Sequence, residues 1–306
     1  MLNISNINKF HEGYKPIDFM RWNKLAFSVL AFLILLSTVI IYVFNFNWSI
    51  DFTGGTVIEA SFDKLINVNL LRSQLIKSGF NSPIIQNIGD NKSVLIKINS
   101  SNSDNINDKL IESIKKNMKQ KITINRINFV GPSIGPELTM NGIIALFYAI
   151  LAVFFYIGFR FEWNIAFGIV VALLSDLIIT CGLLSLLHIE IDLTIIASLM
   201  SIIGYSLNDK IVISDRIREN MKKIQSFSYY DIINISLTQV INRTLMTSLV
   251  TLMMVLILLT FGGSLLKGFS LTMVIGIIVG TMSSIYISLS LKLMTNIINN
   301  KIFNYK

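Results

Sequence analysis

Of 306 residues, 53% are apolar and only 14% charged, whereas a soluble domain carries roughly 25% charge to cover its surface. Much of this chain must therefore face something other than water, which excludes a soluble enzyme. The net charge of +8 does not indicate nucleic acid, because the basic residues sit beside apolar spans instead of forming one stripe.

Taken in chain order, residues 1–24 form a basic cytoplasmic segment with Lys9, Lys15, Arg21 and Lys24. The run 25–50 contains no charge, and about 20 apolar residues cross a bilayer. It is too long for the apolar core of a signal peptide, and Phe44–Trp48 offers no small-residue cleavage site. A first, uncleaved transmembrane helix is expected at 25–45. Residues 46–137 then form a folded extracytoplasmic domain. Segments 56–62, 93–98 and parts of 122–130 alternate apolar and polar side chains as strands do, and 83–88 is a further short strand. Leu70, Leu71 and Leu75 at helical spacing predict a helix over 68–78, closed by Gly79. A second helix is expected over 104–118. The order βαββαβ is that of a small ferredoxin-like α+β domain. It contains no metal cluster, phosphate loop or nucleophile–base pair.

Five more spans follow at 138–159, 163–187, 193–214, 244–266 and 268–291. The expected fold class is thus a multi-pass α-helical membrane protein with six transmembrane helices and an α+β insert between the first two. The five-helix bundle occupies 138–291, with a cytoplasmic loop at 215–235 and a cytoplasmic tail at 292–306. Lys and Arg in short flanks set orientation. Arg160, Arg216, Arg218, Lys222, Lys223, Lys292, Lys301 and Lys306 fall on the side of the N-terminal segment, which places both termini in the cytoplasm. Residues 216–225 are expected at the lipid headgroups. Cys181 is the single cysteine and is read as a packing residue.

An ionisable residue inside a span is costly and needs a partner or a purpose. Asp176 interrupts the third span, and its local reading is a neutral acid bonded to Ser175 or Thr180. Asp209 and Lys210 lie toward the inner end of the fourth span, and Arg243 precedes the fifth. Asp209 and Arg243 lie at similar depth on consecutive helices, so one reading pairs them. A carboxylate whose pairing changes with conformation can take up and release a proton. Asp209 is alternatively interfacial, Arg243 alternatively snorkels, and Gly276–Gly280 is a GxxxG that permits close helix approach.

The segment Trp48-Ser49-Ile50-Asp51-Phe52-Thr53-Gly54-Gly55 resembles the G-I-D-F-x-G-G signature of the SecD/SecF protein-export family. Val130-Gly131-Pro132-Ser133-Ile134-Gly135-Pro136-Glu137-Leu138 is similar to that family's VGPxxGxEL. Ile203-Gly204-Tyr205-Ser206-Leu207-Asn208-Asp209, continuing through Asp215-Arg216-Ile217-Arg218-Glu219-Asn220, resembles its SecF branch in particular. The resemblance implies half of a resistance–nodulation–division unit in the bacterial inner membrane, with SecD as the other half. It also implies assistance to preproteins leaving the SecYEG translocon, powered by protons, without a cofactor or metal. The proton pathway falls on Asp209 and Arg243, with Asp176 as a further candidate. Asp51, Gly54, Gly55, Gly131 and Pro132 are implied as a structural junction. Two positions depart from the family pattern. Ser175 stands before Asp176 where histidine is frequent, and Lys210 follows Asp209 where a small hydroxyl residue is usual. Lys210 is expected to snorkel away or to pair with Asp209 in place of Arg243. A non-conducting scaffold for SecD, an intramembrane aspartyl protease using Asp176 and Asp209, and a small-molecule exporter are the competing readings. The protease lacks a Gly-x-Gly-Asp setting, and the exporter lacks half its helices.

Overall fold

At membrane depth a backbone has to satisfy its own hydrogen bonds, and an α-helix does so within the segment. The computed structural model describes residues 17–63, 68–78, 83–88, 93–98, 122–131, 134–161, 163–223 and 228–303. Among these, six helices are long and apolar enough to cross a membrane. After a 3-10 turn at Met20–Trp22, helix α1 runs Asn23–Phe44. There follow a short strand β1 (Asn47–Trp48), one helical turn α2 (Ile50–Thr53), β2 (Gly55–Phe62), α3 (Val68–Lys77), β3 (Ile84–Ile88), β4 (Ser93–Ile98) and β5 (Ile122–Val130). The chain continues through α4 (Ile134–Arg160), α5 (Trp163–Leu186), β6 (Glu190–Ile191), α6 (Leu193–Lys223), α7 (Tyr229–Phe261) and α8 (Gly263–Phe303).

Two compact units result. One gathers Asn47–Ala145 with Glu190–Leu193, and the other holds the remaining helical segments. In the first unit, four strands form an antiparallel sheet in the order β3-β4-β2-β5. Alternation along β2 puts Ile58, Ala60 and Phe62 on one face. There they meet Val94, Ile96 and Ile98 of β4 and Leu71 and Leu75 of α3, and this cluster is the core. The sheet and α3 coincide with the segments expected from alternation and helical spacing. The expected helix at 104–118 and its companion Gly79 lie outside the described residues. A second, two-stranded sheet was not anticipated: β1 pairs in parallel with β6, Asn47 opposite Glu190 and Trp48 opposite Ile191.

In the helical unit, the most interior span is α5, with 56% of its most apolar window buried, whereas the matching window of α1 is only 11% buried. Helices α4 and α7 likewise expose large apolar side chains such as Phe147, Phe159, Met254 and Phe261, as a lipid-facing helix does. Ile157, Phe161, Ile165, Ile169, Leu173 and Ile203 knit α4, α5 and α6 together. Leu30, Ala172 and Ile179 join α1 to α5.

The stretch expected as a cytoplasmic loop at 215–235 is largely helical. Helix α6 continues to Lys223 and α7 already begins at Tyr229. The charges that end the hydropathy signal do not end the helix, because they are met by neighbours. Arg160 pairs with Asp215 at 2.8 Å, and Arg216 reaches both Gln239 at 2.6 Å and Glu219 at 2.7 Å. Asn220, buried, donates to Ser236 and to Gln239 at 2.8 Å each. Ile213, Ile217, Ile233 and Leu237 pack beneath them. Residues 216–223 are therefore the end of a packed helix. Ser228 caps α7 by accepting from the Asp231 amide.

Candidate functional site

Successive residues on an α-helix point about 100° apart, so Asp209 and Lys210 of α6 face different neighbours. Lys210 turns toward α5 and α8. It is completely buried, and its Nζ lies 2.8 Å from Asp176 Oδ2, itself 1% exposed. The ammonium also donates to Ser206, to Ser283 at 3.0 Å and to Ser284 at 3.3 Å. Ser206 donates to the same Asp176 oxygen at 2.6 Å. The second oxygen, Asp176 Oδ1, is buried without a hydrogen-bond partner among the described residues. Lys210 thus neither snorkels nor pairs with Asp209. Its charge is met inside the bundle by a carboxylate 34 residues earlier. The local reading of Asp176 is also corrected. Ser175 and Thr180 bond to the carbonyls of Val171 and Asp176 within their own helix, which leaves the Asp176 side chain to α6.

Asp209 turns the other way, toward α7. It is 2% exposed, and the partner recorded for its carboxylate is the Ser248 hydroxyl at 3.4 Å. Ser248 in turn accepts from Thr281 of α8 at 3.0 Å. Asp209 forms no ion pair among the described residues, and neither does Arg243, so the Asp209–Arg243 pair expected from depth is not made. The reason is azimuth. Arg243 lies five residues before Ser248, about 7.5 Å along the axis and roughly 140° around it. Arg243 is exposed and lines a surface cleft with Asp215, Arg216, Gln239 and Val240, while Thr244 and Ser248 occupy the buried face of α7.

Close approach of α6 and α8 depends on the GxxxG. A Cβ on Gly276 would overlap the Ile202 side chain, and one on Gly280 would lie 2.9 Å from Ser206 Oγ and 3.7 Å from Asp176 Oδ2. Ile202 is β-branched and cannot swing aside freely. Gly276→Ala is therefore expected to destabilise the protein by about 1–3 kcal/mol, read as a lowered melting temperature of the full chain in detergent.

The junction residues belong to the sheet-bearing unit. Asp51 Oδ2 accepts from the Leu193 amide at 3.2 Å. It thereby places a carboxylate at the first turn of α6, where amides lack intrahelical partners. Gly54 and Gly55 have φ of 72° and 130°, a region costly for any residue with a Cβ. Gly131 is under no such constraint, since an added Cβ meets only Ile134 at 3.6 Å. Pro132 lies outside the described residues. Sequence reasoning missed the pair formed by Lys97 of β4 and Glu190 of β6, because nothing local in the sequence points to a partner 93 residues away. It also missed Ser206, Ser283 and Ser284. The Ser283-Ser284 doublet in an apolar span was the available signal. No group of His, Cys, Asp and Glu suited to a metal occurs among the described residues.

The family model described as "Protein export membrane protein SecD/SecF, C-terminal" matches residues 110–297, and the "SecD/SecF GG Motif" matches residues 39–64. "Protein translocase subunit SecF" of Escherichia coli O157:H7 is 48% identical over 291 residues, covering 94% of this chain and 90% of that protein. The protein of the same name from Haemophilus influenzae is 41% identical, covering 94% and 89%. Among solved structures, the crystal structure of SecDF, a translocon-associated membrane protein from Thermus, superposes with a TM-score of 0.84 at 35% identity. The match covers 92% of this chain but only 39% of that one. Identity at this level over nearly the whole length, joined to six apolar helices in the SecDF-like arrangement, makes this multi-pass membrane chain a member of the SecF family of protein translocase subunits.

Proposed function

We propose that the chain assists the export of preproteins through the SecYEG channel, drawing on the proton-motive force together with a SecD partner. It sits in the bacterial inner membrane with both termini cytoplasmic, and the sheet-bearing unit is a ferredoxin-like extracytoplasmic domain. The observation that carries this reading is the asymmetry between two buried carboxylates. Asp176 has a lysine on it, whereas Asp209 has a hydroxyl at 3.4 Å and no ion pair among the described residues. Burying an ionisable group without a fixed counter-charge is expensive, and such a carboxylate is the one suited to exchange a proton. Arg243 acts as its partner in another arrangement of α6 and α7, so that pairing and protonation alternate. Asp176 lines the same polar layer and shapes the field around the path.

The test is proton uptake by vesicles holding this chain with its SecD partner. With Asp209→Asn, uptake is expected to fall to the level of empty vesicles. Unchanged uptake would move the path into SecD and leave this chain a scaffold. The protease reading finds no support in the geometry, because Asp176 turns to Lys210 and Ser206 while Asp209 turns to Ser248. Two carboxyls sharing one substrate have to face each other.

A further inference from the structure

We propose that Lys210 is a tethered cation, its ammonium filling an oxygen cage that α5, α6 and α8 build, and that this filled cage locks the three helices together. Four oxygens surround Nζ: Asp176 Oδ2, Ser206 Oγ, Ser283 Oγ and Ser284 Oγ. All five residues are at most 1% exposed. The hydroxyl hydrogens are already committed elsewhere. Ser206 donates to Asp176, and Ser283 and Ser284 donate to the Gly280 carbonyl at 3.2 and 2.6 Å. A hydroxyl that has given its hydrogen away presents lone pairs to whatever lies on its other side. The three hydroxyls therefore offer only acceptors to the cage interior, beside a carboxylate. That constellation suits a small monovalent cation with several donors, and an ammonium fits it, its three N–H groups shared among the four oxygens with Ser284 the most distant at 3.3 Å. A guanidinium, planar and larger, does not.

The cage is preformed by features that do not involve the lysine. Gly280 supplies the carbonyl that orients two of the hydroxyls, and its lack of a Cβ lets Ser206 and Asp176 approach. Lys210 thus acts as a positioning residue. It holds α6 against α5 and α8, and so fixes the direction in which the next residue back, Asp209, faces α7. This last step rests on the reading of Asp209 as the proton-exchanging group. The cage itself does not.

The experiment uses the full chain in detergent and reads the melting temperature, which needs no proton flow. Failure here is thus distinguishable from failure of the vesicle test on Asp209→Asn. Lys210→Met keeps most of the length of the side chain and removes its charge, and a fall of about 10 °C is expected because one member of a buried pair is left alone. Lys210→Met combined with Asp176→Asn is expected to recover the part of that fall due to the stranded carboxylate, without reaching the melting temperature of the native chain, because the cage is then empty. In Lys210→Ala, methylammonium is expected to raise the melting temperature in a saturable way, as a ligand bound only by the folded state does. Ethanol, similar in size but neutral, and tetramethylammonium, charged but without donors, should have no such effect. A double variant as unstable as Lys210→Met overturns the proposal, and it decides the matter if Lys210→Ala does not fold. Absence of a methylammonium shift in folded Lys210→Ala, or an equal shift with ethanol, overturns it as well.

Discussion

Asp176→Ala is expected to destabilise the helical bundle by about 3–5 kcal/mol, the cost of stranding one member of a buried ion pair. The magnitude follows from where Lys210 is held. With no exposed surface, its ammonium has no water to turn to once the carboxylate is gone, and three serine hydroxyls supply dipoles but no negative charge. Nor can the side chain withdraw to the headgroups, since its neighbours on α5 and α8 enclose it. The contrast within the same protein is the Arg160–Asp215 pair, whose side chains are 50% and 42% exposed. Water already competes for both partners there, and Asp215→Ala is expected to leave the melting temperature nearly unchanged. Thermal melts of the two variants in one detergent check both statements. Equal shifts would mean that the Asp176–Lys210 layer is hydrated in the folded protein.

Gly135→Ala is the second large effect, expected to cost about 1–3 kcal/mol or more through overpacking against backbone. Gly135 lies in the first turn of α4, and an added Cβ would fall 2.5 Å from the Phe52 carbonyl oxygen and 3.1 Å from the Gly54 nitrogen. A side chain can rotate away from such an overlap, but α2 cannot. Its next residues, Gly54 and Gly55, already hold positive φ, and Asp51 is committed to the Leu193 amide. Gly131→Ala, four residues earlier, meets ordinary contact and should be nearly neutral. Hydrogen exchange over 50–62 in the full chain reads the difference. Faster exchange in Gly135→Ala alone is the expected pattern.

The parts of the fold legible in the sequence are those set by one-dimensional signals. Apolar runs, free of charge or broken only by Asp176 and by Asp209 and Lys210, located all six spans, and alternation located β2 and β4, because each strand has one face on a common core. Hydropathy lost the ends of α6 and α7, since it counts Asp215, Arg216 and Asn220 as solvent-seeking while the structure pairs them with side chains of other helices. The polar positions in the membrane were legible for the same reason, as interruptions of apolar runs. Their partners were not. Depth can be counted along a sequence, but azimuth depends on how helices are rotated against one another, and azimuth separates Arg243 from Ser248 on α7. Lys210 stood out as a departure, yet nothing local distinguishes a lysine that reaches outward from one that reaches inward. The difference is made by serines on two helices, 4 and 73–74 residues away.

The two-stranded sheet of β1 and β6 bears on how the chain assembles as it is made. The four-stranded sheet and α3 draw only on residues up to Val130, so they can form while later spans are still being synthesised. Their completion has to wait. Trp48 finds its strand partner in Ile191, Lys97 its carboxylate in Glu190, and Asp51 its amide in Leu193, 142 residues downstream. Closing a loop of that length is slow relative to local pairing, and here the loop contains α4 and α5. Until both are inserted, Lys97 and β1 await their partners. The finished sheet-bearing unit is thus a late product of synthesis, and any lesion that delays insertion of α4 or α5 is expected to appear first as protease sensitivity around residues 47–54.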